Sequence, residues 1–325
     1  MANRIVRNTA ILAKAEATYA LDPTPTGGAN AMLVSNLTIN PINASNVSRD
    51  LIRPYLGGSE QLLGTKSVEM SFDIELVGGG TVAVAPAWAP LMLACGMQEI
   101  VTATFRVDYI PKSTAFGSAT IYWYDDGVLH KATGCRGTFT IDMGVGKRPV
   151  MSFKFTGIYA TPTAVANPSV TLTGFKTPMV VTDTNTQDAM FGGTHTTTVA
   201  PAITGGTAYP SQGLMLDMGN TVNFTALLGG ETVDLTQRAV TGKVVLDLTA
   251  AQEVTLMGAV EAATLQTLGL IHGTVTNQKV MIWLPGVQLY NPSKVDVNGK
   301  RMVGFDLAAT PVSGDDEIRV ITSFA

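Results

Sequence analysis

Gly144-Val145-Gly146-Lys147-Arg148 is the stretch whose residue types come nearest to phosphate chemistry, because a glycine-rich backbone followed by lysine can cradle an anion. A phosphate loop needs another Gly five positions before its Gly-Lys pair and a Ser or Thr after the lysine. Here those positions hold Ile141 and Arg148, so the stretch reads as a hairpin turn. Gly78-Gly79-Gly80 could approach a ligand closely, but it follows a long strand and precedes Pro86, and a flexible connection is the simpler reading. The three histidines, His130, His195 and His272, stand far apart and lack the spacing that brings two imidazoles to one metal ion. No Gly-x-Ser-x-Gly elbow supports a serine nucleophile. Cys95 and Cys135 have no charged neighbour to activate them except Arg136, and they read as buried, reduced thiols. No catalytic residue, cofactor site or metal site is expected. The set that stands out is acidic: Glu69, Asp73 and Glu75 recur at even spacing in a chain otherwise sparing of charge.

The element that positions them is a strand. From Val68 to Leu76, apolar Val68, Met70, Phe72, Ile74 and Leu76 alternate with Glu69, Ser71, Asp73 and Glu75, a period of two that turns one face to a core and the other to water. Phe139, Ile141 and Met143 alternate with Thr138, Thr140 and Asp142, and Met151, Phe153 and Phe155 alternate with Ser152 and Lys154. These two runs form a β-hairpin across Gly144 to Lys147. Thr120 to Tyr124 is an aromatic strand closed by Asp125-Asp126-Gly127. Helical spacing predicts only two helices, one from Pro86 to Met97 and one from the N-cap Thr249 to Gly269.

With 325 residues the chain exceeds one comfortable core, and 46% hydrophobic against 14% charged residues means that apolar surface must be hidden in cores or against other subunits. A net charge of -4 disfavours tight nucleic-acid binding, which depends on Lys and Arg. The opening Met1-Ala2-Asn3-Arg4-Ile5-Val6-Arg7-Asn8 meets Lys14 and Glu16 before an apolar run develops, so no signal peptide is expected. No stretch is apolar for long enough to insert in a membrane as a helix.

The order of signals repeats. Tyr55-Leu56-Gly57-Gly58-Ser59-Glu60 resembles Leu227-Leu228-Gly229-Gly230-Glu231, and without a gap Val68 to Leu76 then falls on Val240 to Leu248, with Ile74 on Leu246 and Glu75 on Asp247. Gly146-Lys147-Arg148-Pro149-Val150 with Phe153 matches Gly299-Lys300-Arg301-Met302-Val303 with Phe305. Duplication follows, with domains at 1–160 and 179–325 and a Thr-, Pro- and Ala-rich linker at 161–178. Of the acidic stripe, Asp247 alone survives in the second copy, where Thr241, Lys243 and Val245 fill the other matching positions. Thr182 to Gly206 reads as a strand pair with an exposed loop.

Taken together, the opening Arg4 to Thr9, the segment Asn46 to Gly58, the stretch Gly146 to Phe155 and the run Val240 to Glu253 resemble the tail tube, or major tail, proteins of long-tailed bacteriophages, in the branch with a doubled tube domain. The resemblance spans nearly the whole chain and rests on scaffold motifs. It implies a mainly β protein of two tandem β-sandwich or partial-barrel domains, each with a flanking α-helix. It also implies a structural, non-enzymatic role in the virion tail, assembled in the bacterial host cytoplasm. Chains would form rings, three of them making a pseudo-hexamer, stacked into a hollow tube around a tape-measure protein and bounded by tail terminator and tail-tip proteins. DNA would pass through without tight binding. Glu69, Asp73, Glu75 and Asp247 are then the candidates for the lumen. The long polar loop Asn40 to Lys66, with Arg49, Asp50 and Arg53, is the candidate contact between rings, and Asn220 to Arg238 is its shorter counterpart. The competing reading is a carbohydrate- or receptor-binding β-sandwich or a capsid decoration protein, with Trp88, Tyr122, Trp123, Tyr124 and Trp283 as a sugar platform.

Overall fold

Alternation of apolar and polar residues is carried through into strands almost everywhere it occurs. The computed structural model describes residues 4–196 and 201–325. Met1-Ala2-Asn3 and four residues of the Thr182–Gly206 stretch lie outside the described residues.

The first half runs β1 (Thr9–Ala15), α1 (Gly27–Asn30), β2 (Ala31–Met32), β3 (Ser35–Ser48), β4 (Gln61–Glu75), α2 (Ala89–Ala94), β5 (Met97–Thr102), β6 (Arg106–Pro111), β7 (Ala119–Asp125), β8 (Val128–Gly144) and β9 (Val150–Ala164). The second runs β10 (Ala189–Phe191), β11 (Thr194–His195), β12 (Ile203–Thr204), β13 (Thr207–Tyr209), β14 (Ser211–Asp217), β15 (Thr221–Leu227), β16 (Gly230–Gln237), β17 (Thr241–Leu246), α3 (Ala250–Glu261), β18 (Leu265–His272), β19 (Val280–Val297), β20 (Lys300–Ala309) and β21 (Arg319–Thr322). The protein is mainly β, with open antiparallel sheets, as the sequence leads one to expect.

Strand neighbours in the first half follow the order β3-β4-β9-β8-β7-β1-β2. In the second half they follow β14-β17-β20-β19-β18-β10-β13. Each strand occupies the place of its counterpart, and α2 and α3 both lie between the second and fifth members of their set in chain order. The halves are also sewn together. β14 pairs with the C-terminal end of β8, Leu216 opposite Ile141 and Met215 opposite Asp142. The short β21 lies between β19 and β6, so a strand at the far end of the chain extends a hairpin of the first half.

Aromatic packing dominates the core. Phe72, Phe139, Phe153 and Phe155 are all but fully buried, with Phe153 stacked on Phe155 at 5.7 Å and tilted against Phe139 at 5.8 Å. Each such side chain contributes about 1.5–3 kcal/mol by leaving water. Across the junction the same apolar row continues as Ile74, Met151, Ile141, Leu216, Gly242, Leu307 and Leu289, each opposite the next. One hydrophobic cluster therefore spans both halves.

Both helices are shorter than their spacing predicts. α2 covers only Ala89–Ala94, because Pro86 and Trp88 form the turn that precedes it and Gly96 leaves it with φ +76. α3 begins as expected at Thr249, whose hydroxyl accepts from the Gln252 amide while the Gln252 side chain accepts from the Thr249 amide. It stops at Glu261 rather than Gly269, since Ala263 turns into the left-handed region and Leu265–His272 pairs with β19 as β18. A short apolar run fits either period, and tertiary pairing decided it. Asn40 to Lys66 is likewise less a loop than a ribbon: β3 and β4 stay paired out to Ser48 and Gln61, through bulges that break the alternation, and only 49–60 lies beyond the ladder. Its counterpart is the tight hairpin β15–β16.

Candidate functional site

Assembly surfaces are made of faces and edges, and both follow from the strand register. The polar side of β4 carries Glu69, Ser71, Asp73 and Glu75, while Val68, Met70, Phe72 and Ile74 on the other side are buried. Residues directly opposite across a ladder share a face. Asp73 therefore lies in one row with Ser152, Thr140, Asp217, Thr241, Ala308 and Gln288. Glu75 heads the next row, with Val150, Asp142, Met215, Lys243, Asp306 and Tyr290. The result is a single outward face across β4, β9, β8, β14, β17, β20 and β19, continuous where the halves meet and mostly polar, with Val150, Met215 and Ala308 among its apolar members.

The charges on this face are largely answered. Glu69 accepts from the Asn43 amide at 2.8 Å and Asp73 from that of Asn36 at 2.6 Å. Glu75 pairs with Arg148 at 2.9 Å, and Asp247, just beyond β17, pairs with Lys300. Three further carboxylates join the same face: Asp142, Asp217 and Asp306, with Lys147 at 3.4 Å from Asp142 and Lys243 at 3.7 Å from Asp306. Asp217 and Asp306 were legible in principle, since each alternates with buried Leu214, Leu216, Phe305 and Leu307. Their membership of the face needed the junction between β8 and β14. With them, the second half is less depleted in acid than the gapless alignment of Val240 to Leu248 implies.

The candidates at the ribbon tip are also partly engaged. Glu60 accepts from both Arg49 and Arg53, the latter at 3.2 Å, and Asp50 accepts from the Ser48 hydroxyl at 2.6 Å. The tip instead presents apolar side chains to water: Leu51, Ile52, Tyr55 and Leu56 are all exposed, Ile52 and Leu56 completely.

Edges complete the surface. Among the described residues β3 has a neighbour only on its β4 side, and β19 beyond Gln288 has one only on its β20 side. Unpaired N–H and C=O groups along such edges are templates for another strand. The corresponding edges inside the chain, β14 and the end of β8, are already paired to each other.

That internal junction is locked by side chains. Arg136, on β8, donates to the carbonyls of Val233 at 2.8 Å, Phe116 at 3.2 Å and Gly117 at 3.2 Å, and lies over the Tyr19 ring at 4.6 Å. The Tyr19 hydroxyl accepts from the Val233 amide at 2.6 Å; burial raises its pKa against the lowering pull of that amide and of Arg136. Asn220 donates to the carbonyls of Cys95 and Gly137. Arg238 donates to the Lys112 carbonyl at 2.9 Å and pairs with Glu317 and Asp315. The hydrogen bond from Ser113, opposed by partial burial and helped by Arg238, holds the Asp315 carboxyl below its usual range.

The residues weighed for other chemistry sit elsewhere. Trp88, Tyr122, Trp123, Tyr124 and Trp283 are buried and form no platform. His130 stacks on Trp123 at 4.7 Å, and His195 packs on Trp283. His272 is buried, with its ring nitrogens on the Thr186 hydroxyl and the Met179 carbonyl. Burial lowers the pKa of all three. Among the described residues no cluster of His, Cys, Asp or Glu has metal-binding geometry.

The family model of the phage tail tube protein matches residues 7–324. The chain belongs to that family. No curated protein matches it. Membership makes this a structural protein of the bacteriophage virion tail whose copies assemble into a tube. For a tail tube protein, the face and edges described above are the surfaces with work to do.

Proposed function

We propose that copies of this chain close into rings by pairing the β3 edge of one copy with the C-terminal β19 edge of the next. Rings then stack into the hollow tube through which DNA is ejected. The observation that carries this reading is the repeated strand order: the chain pairs β14 with β8 internally and leaves the equivalent β3 and β19 edges open. A heterologous contact of this kind closes when its rotation allows. On this reading residues 1–160 and 179–325 act as two tube domains joined by 161–178, and three chains supply six similar positions.

The polar face turns inward. Glu69, Asp73, Glu75 and Asp247, with Asp142, Asp217 and Asp306, give the bore a carboxylate-rich lining that repels phosphates and lets DNA slide. Their neighbouring amides, Lys and Arg hold them in place and moderate the field. The ribbon tip at 49–60, including Arg49, Asp50 and Arg53, reaches the adjacent ring and buries Ile52 and Leu56 there. The tube encloses a tape-measure protein and ends at tail terminator and tail-tip proteins, assembly takes place in the host cytoplasm, and the chain performs no catalysis. Electron micrographs of the purified protein test this: rings of three chains with an axial hole are expected. A monomer that persists at high concentration without rings or tubes overturns it.

A further inference from the structure

Two helices in equivalent places are covered differently. α2 is buried along nearly its whole length, and part of its cover comes from the other half of the chain. The β15–β16 hairpin sits against its C-terminal end, with Leu235 Cδ1 only 3.1 Å from where a Cβ on Gly96 would stand and Asn220 on the Cys95 carbonyl at 2.7 Å. Among the described residues α3 has no such cover from the other half. Leu256 is buried and Met257 and Val260 pack on the core, while Val254 is 73% exposed and Leu265, just past the helix, 54%. Its inner face is thus covered as in any surface helix, and the apolar side chains left in water are those a partner at its outer side and C-terminal end would bury.

The element equivalent to β15–β16 is the outer part of the β3–β4 ribbon. The gapless correspondence that puts Ile74 on Leu246 puts Leu63 on Leu235 and Leu56-Gly57-Gly58 on Leu228-Gly229-Gly230. Leu235 is half-buried in its contact, whereas Leu63 is 56% exposed and Leu62 beside it is exposed too. The two receiving sites match as well: each helix ends in a residue of positive φ, Gly96 at +76 and Ala263 at +51. The ribbon and α3 cannot meet through the route β15–β16 takes to α2, because that route follows the β14–β8 pairing and its equivalent edges are open.

We infer that the stem of the β3–β4 ribbon of one copy covers α3 of the next copy in the same ring, with Leu63 seated against Ala263 as Leu235 is seated against Gly96. This rests on the ring reading above and is continuous with its β3–β19 edge pairing. The ribbon thus has two tasks: residues 61–66 bind sideways within a ring, and the tip at 49–60 is left for the neighbouring ring.

The test uses two full-length chains, Leu63→Cys and Ala263→Cys, both changed at exposed positions. They are mixed under ring-forming conditions and oxidised before rings stack. Cys95 and Cys135 are buried and stay in place. The expected result is a reducible band at twice the chain mass in the mixture and in neither variant alone. Rings that form without the cross-link overturn the inference while leaving the ring reading intact. So does a cross-link within either variant alone, or one that appears only after stacking. If the unmodified chain forms no rings, the ring reading fails and this inference falls with it.

Discussion

Replacing Arg136 with alanine should undock the β15–β16 hairpin from the first half. The guanidinium donates to three carbonyls, lies over Tyr19 and reaches Asp234 at 3.4 Å, with its own side chain only 14% exposed. Asp234 is 42% exposed, so that ion pair adds less than about 1 kcal/mol. The Val233 carbonyl matters more, being the one carbonyl partner that lies across the interface; Phe116 and Gly117 belong to the same half as Arg136 and only hold the guanidinium in place. A hydrogen bond from a charged donor is worth about 1.5–3 kcal/mol, so with the ion pair truncation should cost docking about 2–4 kcal/mol. At about 1.4 kcal/mol per tenfold, that is roughly one and a half to three decades in the opening equilibrium. The assay is native-state hydrogen exchange at the Val233 and Asn220 amides, which donate to the Tyr19 hydroxyl and Thr138 Oγ1 across the interface and so report docking directly. Arg136→Lys keeps the charge but not the fork, and should recover only part of the protection. Acceleration below tenfold at both amides, or equal acceleration in β4 and β9, would refute the assignment of Arg136 as the lock.

Changing Glu69, Asp73 and Glu75 together to Lys should leave tail assembly normal but slow DNA ejection; unchanged ejection would put this face on the outside. Asp315 has a depressed pKa, so its stabilising contribution is complete above the unfolded value of about 3.9 and is lost as pH falls through the folded value. Asp315→Asn should therefore lower the melting temperature at pH 6 but match the unmodified chain near pH 2, and a difference that persists in acid would remove Asp315 from the account. Burial raises the pKa of both cysteine thiols, so neither Cys95 nor Cys135 should react with a thiol reagent at pH 8 until the chain is denatured. Stoichiometric labelling of the native chain would contradict their burial.

Much of this architecture is readable in local patterns. Val68 to Leu76 announces its two faces because the strand is half-buried, and the β8–β9 hairpin does so for the same reason. Thr249 and Gln252 mark the start of α3 through a capping box contained within four residues. What the sequence hides is whatever depends on distant partners. Nothing near Leu214 says that it will lie beside Met143, nor anything near Ile321 that it will pair with Asp108. The ribbon stem was obscured by its own bulges, and the end of α3 by an apolar run compatible with either period. Spacing marks the acidic stripe at Glu69, Asp73 and Glu75 but not its extension to Asp217 and Asp306, since a face that crosses several strands is defined by register.

The pairing of β14 with β8 has one more consequence. Both strands belong to one molecule, so each meets the other at an effective concentration set by the chain between them, residues 145–210, whatever the concentration of the protein. The proposed pairing through β3 and β19 would enjoy no such advantage and would wait for a second molecule at its bulk concentration. On the proposed ring reading the chain is thus a prefabricated segment: one joint is made however dilute the protein, and the supply of free chains governs only the other.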